Sequence, residues 1–259
     1  VETLLHEAIP TAYVLHLHPA SVNGLTCAKG GRAAFGRLFA KDGIWVPPIM
    51  PGYVLADTVR GDIEAFAKTH GKPPAYIFLE NHGVFTGADT VADIDAQFDE
   101  LLRRLEGEHV ENADLSPAEF DRAAAAAFAP VVRCLAADPA DGEVPGVAVF
   151  VCNKAVRDAV ASPGAFSQVY LTFSPDHMVY CRDEALFLED ADADALERGV
   201  AAFAAAHGGK PRVVGVRGLG IYACGSTKKE ADTVAAVFLD AVKVSVAARA
   251  FGGGKPMPE

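Results

Sequence analysis

Tyr13-Val14-Leu15-His16-Leu17-His18-Pro19 is the stretch that decides how this chain is read. Val14, Leu15 and Leu17 bring β-branched and aliphatic character and Pro19 closes the run, the pattern of a short strand. Side chains two apart on a strand share a face, so the His16 and His18 imidazoles project together. Two neutral imidazoles on one face are half of a metal site. Zinc that does chemistry takes a third protein ligand and keeps a fourth position open. Read alone, the pair fits a solvated strand end equally well. A second segment shifts that balance. Ile77-Phe78-Leu79-Glu80-Asn81-His82-Gly83-Val84-Phe85 reads as another apolar strand that delivers His82 at its C-terminal end, just before Gly83.

Around these segments strands and helices alternate. Leu4, Leu5, Ala8 and Ile9 suit a short helix from Glu2 to Ile9, ended by Pro10. Ala20 to Gly31 reads as a small-residue helix running into a glycine loop, and Arg32 to Ala40 as a further amphipathic piece. Ile44-Trp45-Val46 is a short strand stopped by Pro47-Pro48. Leu55, Val59, Ile63 and Phe66 set helical spacing from Leu55 to Thr69, which His70-Gly71-Lys72-Pro73-Pro74 breaks. Asp89 to Glu106 is a strong helix with a stripe of Val91, Ile94, Phe98, Leu101, Leu102 and Leu105, capped by Asp89 or Thr90. The order predicts a mixed α/β layer whose sheet carries both histidine segments.

The stretch Glu108 to Ser116 turns polar and ends on Ser116-Pro117, a helix start, which places a boundary there. Residues 1–112 are then one domain and 113–259 a second, smaller α/β domain. Its expected elements are a helix over Pro117 to Ala136, a strand over Val147 to Cys152 and a helix over Asn153 to Ala161. Strands are expected over Val169 to Phe173, Met178 to Cys181, Arg212 to Val216 and Gly220 to Cys224, with helices over Ala193 to His207 and Lys228 to Phe251. Asp176-His177 after Pro175 fits turn chemistry or a second polar site. Gly218, Gly220 and Gly225 lack the spacing of a nucleotide loop. No repeat of fixed period stands out.

Composition narrows the partners. The chain has 259 residues, 51% hydrophobic and 22% charged, an ordinary globular balance that argues against disorder. A net charge of −11 argues against a nucleic-acid backbone as the main partner, because phosphates want a basic face. No run is long and apolar enough to span a bilayer, and no leader pattern opens the chain. Cys27, Cys134, Cys152, Cys181 and Cys224 are scattered and odd in number, which fits buried thiols in a reducing cytoplasm.

Glu2-Thr3, His16-x-His18-Pro19 and Asn81-His82-Gly83 together resemble the class II aldolase/adducin family. The resemblance implies a three-layer αβα fold and a divalent metal, usually zinc, on the three histidines that His16, His18 and His82 match. It also implies a glutamate upstream of the pair, matched by Glu2, that completes the resting site and acts as acid and base. His6 is then expected to pack or hydrogen-bond behind the ligands. Pro175-Asp176-His177, Arg212 to Gly220 and Gly225 to Arg249 are similar to the aldolase half of bifunctional rhamnulose-phosphate aldolase/alcohol dehydrogenase proteins. Against those proteins the chain is expected to lack an N-terminal portion with phosphate-holding loops and to stop about where the dehydrogenase is joined. Phosphate contacts are therefore carried to no residue here, and the family's proton-donating tyrosine has no aligned counterpart, Tyr53 included.

What the resemblance implies chemically is retro-aldol cleavage of a ketose 1-phosphate, such as rhamnulose 1-phosphate, to dihydroxyacetone phosphate and an aldehyde. The metal would stabilise an enediolate, and Glu2 would move the proton. Alternatives on the same scaffold are a sugar-phosphate epimerase, a dehydratase or an iron-dependent oxygenase. Glu2, where family epimerases are expected to carry aspartate, leans toward aldolase or dehydratase. Non-catalytic adducin-like modules lose the metal histidines, and this chain keeps all three. The implied partner is a small sugar phosphate, the implied assembly a homo-oligomer (a tetramer in the family), and the expected location cytoplasmic.

Overall fold

A computed structural model describes residues 3–50, 52–108, 110–138 and 146–258. Tyr13–Leu17 form β1, with α1 (Thr3–Ala8) before it and α2 (Ala20–Thr26) and α3 (Gly31–Leu38) after it. β2 (Gly43–Val46), α4 (Tyr53–His70), β3 (Tyr76–Leu79), β4 (Gly83–Ala88) and α5 (Val91–Glu106) follow. The strands make one sheet in the order β1-β4-β3-β2, antiparallel except for the β3–β2 pair. Local chemistry sets the helix ends. α5 starts where Thr90 Oγ1 accepts from the Asp93 amide at 3.1 Å, and α4 stops at Gly71, left-handed at φ 74°.

Strand alternation sorts the core. Tyr76, Phe78 and Val84 point to one face, where they meet Val22 and Leu25 of α2, Phe35 of α3 and Leu101 and Leu105 of α5. Ile77, Leu79 and Phe85 point to the other, against Leu5 of α1 and Leu55, Val59 and Ile63 of α4. Both faces are buried, so these strands are apolar at nearly every position. Ile77 to Phe85, expected as a single strand, is two: the polar Glu80-Asn81-His82 forms the turn of a hairpin. Asn81 takes φ 57° there and the His82 amide donates to Leu79 O at 3.2 Å.

The rest of the chain builds a second sheet. Its elements are α6 (Arg122–Leu135), β5 (Val147–Val151), α7 (Lys154–Ala159), α8 (Pro163–Phe166) and α9 (Pro175–Cys181). β6 (Leu186–Leu188), α10 (Ala193–His207), β7 (Val213–Val216), β8 (Gly220–Gly225) and α11 (Lys228–Ala248) complete it before a 3-10 turn, Arg249–Phe251. The strand order is β5-β8-β7-β6, again antiparallel except for the last pair. The chain divides into two compact units of nearly equal length, Val1–Asn112 with Val246–Glu259, and Ala113–Ser245. Among the described residues no helix is long and apolar enough to cross a membrane.

The two sheets repeat one plan, which reading for a period in the sequence does not find. Tyr76 pairs with Thr86 and Leu79 with Gly83; in the second sheet Val213 pairs with Ala223 and Val216 with Gly220, the same hairpin with the same three-residue turn. β1 lies on β4 from Tyr13–Ala88 to Leu17–Val84, and β5 on β8 from Val147–Gly225 to Val151–Ile221. The faces agree as well. Ile77, Leu79 and Phe85 share a core with α1 and α4, and their counterparts Val214, Val216 and Tyr222 share one with α6 and α10. The repeat escapes the sequence because a buried strand needs only apolar side chains, so Tyr-Ile-Phe-Leu and Val-Val-Gly-Val serve equally.

Three further expectations are corrected here. The strands expected over Val169 to Phe173 and Met178 to Cys181 are absent. Ser174 and Pro175 instead begin α9, with Pro175 in the first turn where its missing N–H costs nothing. The strand of that region is β6, which its three residues left without a periodic signal. α6 does not start at Ser116-Pro117 but at Arg122, because Asp121 Oδ1 accepts from the Ala124 amide at 2.9 Å.

α11 opens on a charged clamp. Glu230 is held by Arg212 and accepts from both the Ser226 amide (2.7 Å) and Ser226 Oγ (2.6 Å). Those hydrogen bonds, the Arg212 one foremost, hold its carboxyl down at about 2 from the usual 4.5. The contribution to stability is therefore full above pH 4.5 and is lost as pH falls through about 2. Glu230→Gln is expected to lower unfolding free energy by about 1–2 kcal/mol at neutral pH. The gap to the parent should shrink when denaturant unfolding is repeated near the lower limit of that range.

Candidate metal centre

His16 sits on β1, opposite Phe85 in the register with β4. His18 is one residue beyond the strand, just before α2, and His82 comes from the β3–β4 turn and not from a strand. The tertiary pairing brings all three together. One ring nitrogen from each lies within 4.8 Å of the other two, and all three residues are half-buried. The Nε2 atoms of His16 and His18 are 2.9 Å apart. The rings meet edge-on, with centroids 4.7 Å (16–18), 5.2 Å (16–82) and 4.9 Å (18–82) apart.

His16 is the best fixed of the set. Its Nδ1 lies 3.0 Å from Val84 O, a carbonyl that can only accept, so the ring carries its proton on Nδ1 and presents the Nε2 lone pair to its neighbours. Its flat face stacks on Phe85, with centroids 3.8 Å apart and planes 9° from parallel. His6 of α1 meets the same Phe85 ring edge-on at 5.4 Å and is not a member of the nitrogen cluster. The backing of the site is thus an aromatic ring and a carbonyl, which orient ligands and add no charge.

Gly83 explains how His18 fits. A Cβ at that position would lie 2.4 Å from His18 Cδ2 and 2.6 Å from Leu17 O. The second sheet has the same constraint at Gly220, where a Cβ would lie 2.7 Å from Phe150 Cζ and from Val151 O. The shared register assigns Phe150, Cys152 and Leu219 to the places of His16, His18 and His82. Phe150 packs against Phe120 and Tyr222 instead of holding a ligand nitrogen. The scaffold is therefore present twice, and among the described residues the nitrogen cluster once.

The donor set suits a divalent ion. Two nitrogens each about 2.0–2.1 Å from one zinc can stand as close as His16 and His18 do, and three imidazoles are an established catalytic zinc set with an open fourth position. Among the described residues no carboxylate joins the cluster. Glu2, expected to supply the acid/base, lies outside the described residues.

Asp176-His177 proves to be helix chemistry. His177 is 3% exposed in α9, with Nδ1 3.3 Å from Ser174 Oγ and Nε2 3.5 Å from Asp240. The cavity beside it is about 10 Å³, room for one water and no substrate.

No family model matches the chain. An uncharacterized oxidoreductase, YuxG of Bacillus subtilis (strain 168), is 27% identical over 90 residues, which cover 35% of this chain and 12% of that protein. Among solved structures, the N-terminal class II aldolase domain of a conserved protein from Thermoplasma acidophilum is similar at 24% identity and a TM-score of 0.35. That match covers 41% of this chain and 46% of the other. The chain thus matches about an eighth of the oxidoreductase and under half of the aldolase domain.

Gly83→Ala is expected to push the His18 ring out of the cluster and to cost about 1–3 kcal/mol, as overpacking does. Denaturant unfolding and the imidazole NMR signals of His18 read the two effects; a variant with parental values in both contradicts this account of the glycine.

Proposed function

We propose that the chain is a metal-dependent carbon–carbon lyase of the class II aldolase type, with zinc or another divalent ion on His16, His18 and His82. The observation that carries the reading is the convergence of three imidazole nitrogens within 4.8 Å of one another from two separate pieces of chain, the end of β1 and the β3–β4 turn. A divalent ion bound there would supply Lewis-acid stabilisation to negative charge developing on the oxygens of a carbonyl substrate. The chain's own residues do the rest. Val84 O and Phe85 hold His16 in one tautomer and one orientation, and Gly83 leaves the space in which His18 turns inward. The three imidazoles are neutral ligands and themselves take nothing from the charge an ion would bring to those substrate oxygens.

The finer reading follows the family resemblance. The substrate is a ketose 1-phosphate such as rhamnulose 1-phosphate, Glu2 is the proton-transfer group, and the protein works as a homo-oligomer on the three-layer αβα plan. No residue is assigned to the phosphate.

Metal-stripped protein reloaded with zinc is expected to retain about one ion per chain, and His16→Ala, His18→Ala and His82→Ala each to lose it. A parent without stoichiometric metal, or a His16→Ala variant that binds like the parent, would remove the reading. Zinc-loaded protein given a panel of ketose 1-phosphates, with coupled detection of dihydroxyacetone phosphate, separates cleavage from epimerisation.

A further inference from the structure

The turn that carries His82 is built at a cost that its counterpart in the second sheet avoids. In the second hairpin the left-handed corner is Gly218, φ 63°, a residue with no Cβ to clash. In the first hairpin the same corner is Asn81, φ 57°, 2% exposed. Asparagine tolerates that region better than most residues but less well than glycine. What it brings in exchange is a side-chain amide, which donates to Lys255 O at 2.9 Å.

Lys255 belongs to the last residues of the chain, which return to the first unit. They lie along the segment that follows α2. The Lys29 amide donates to Gly253 O (3.0 Å), Ala28 bridges Gly254, and the Lys255 amide donates to Cys27 O (2.7 Å). From there Lys255 reaches the hairpin twice. Its carbonyl takes the Asn81 amide, and its ammonium reaches Glu80 Oε1 at 2.5 Å. Glu80 is 9% exposed at its side chain and accepts from Trp45 Nε1 through its other oxygen at 2.8 Å. The Asn81 backbone N–H donates to Thr26 O at 3.0 Å. The two residues immediately before His82 are thus gripped from the C-terminal tail, β2 and the end of α2.

The corresponding turn of the second sheet shares the backbone hold, with the Gly218 amide donating to Val160 O at 2.9 Å, but among the described residues it has no counterpart of the Asn81 side chain or of Lys255. Arg217 stands in the place of Glu80, and it pairs with Glu189 on the surface, both side chains more than half exposed. Among the described residues the same backbone shape therefore closes on its backbone bonds alone, without a side-chain strap, where no ligand follows it. From this internal comparison we infer that the segment Gly253–Lys255 is a strap on the metal centre. Lys255 and Asn81 are positioning residues that hold the His82 turn in the place where its imidazole meets His16 and His18. The strap rests on the metal-site reading for its purpose, and on the hydrogen bonds alone for its effect on the turn.

The test uses the full chain and three variants: Lys255→Ala, Lys255→Arg and Asn81→Gly, the last of which copies the second sheet's corner. Zinc affinity is measured by competition with a chromophoric chelator, and amide hydrogen exchange is measured in the metal-free protein. Loss of the partners that orient metal ligands typically weakens metal about 10–100-fold. Lys255→Ala and Asn81→Gly are expected to weaken zinc about tenfold, with Lys255→Arg closer to the parent. Exchange should quicken locally, over residues 79–84. Zinc affinity within twofold of the parent in both weakened variants overturns the inference. So does a loss that Lys255→Arg fails to reduce, or exchange that quickens across the whole chain, since either marks general loss of structure. If the parent takes up no zinc, the metal reading fails by itself. Unchanged exchange over residues 79–84 then overturns the strap separately, and quickened exchange upholds its grip on the turn.

Discussion

β1 lies antiparallel on β4 in one register, with His16 across from Phe85 and Leu17 across from Val84. Every feature of the histidine cluster hangs on that pairing. It sets His16 Nδ1 against Val84 O and the imidazole face against the Phe85 ring. It also brings the end of β1 beside Gly83, so that His18 can turn into the space a side chain would fill. Strand faces alternate with period two, so a slip of one residue would send the His16 ring to the opposite face and bury Leu15 and Leu17 wrongly. The apolar faces on both sides of the sheet oppose such a slip, because Phe85 and Val84 belong to different cores.

The same frame occurs a second time without the chemistry. Both sheets join a hairpin of identical register to an outer antiparallel strand and a parallel edge strand. What differs is a handful of side chains. Phe150, Cys152 and Leu219 stand in the places of the imidazoles, with Phe150 packed on Tyr222, and the strand register is the same. Fold and site are therefore separable within this one molecule, which illustrates why an architecture alone does not establish an activity. It also makes the second unit a control for the first. A turn closed by Gly218 shows what the backbone requires, and a turn closed by Asn81 shows what has been added beside His82.

Much of the first sheet is legible from patterns of residues close in sequence. The α4 stripe of Leu55, Val59, Ile63 and Phe66 appears as buried residues of one helix, and Thr90 caps α5. The less legible elements have physical reasons. Ile77 to Phe85 hides a turn because both strands of the hairpin are apolar on two faces, leaving only Glu80-Asn81-His82 to mark the break. β6 has three residues, too few for any period. Ser174-Pro175 carries a helix start, but the β-branched and aliphatic residues around it suggest strands.

The sequence by itself determined the residue types available to the centre. It contains two histidines two apart at a strand's end and a third before a glycine, with spacing that follows from strand geometry. Only the tertiary structure decided that the third ring reaches the first two, because that depends on β4 pairing with β1 across nearly seventy residues of intervening chain. It also decided the backing of the site: Phe85 under His16, the space above Gly83, and Lys255 against Glu80 and Asn81. Such contacts join residues whose sequence separation carries no periodic signal. They become readable only when the burial of two apolar faces has fixed which strands lie side by side.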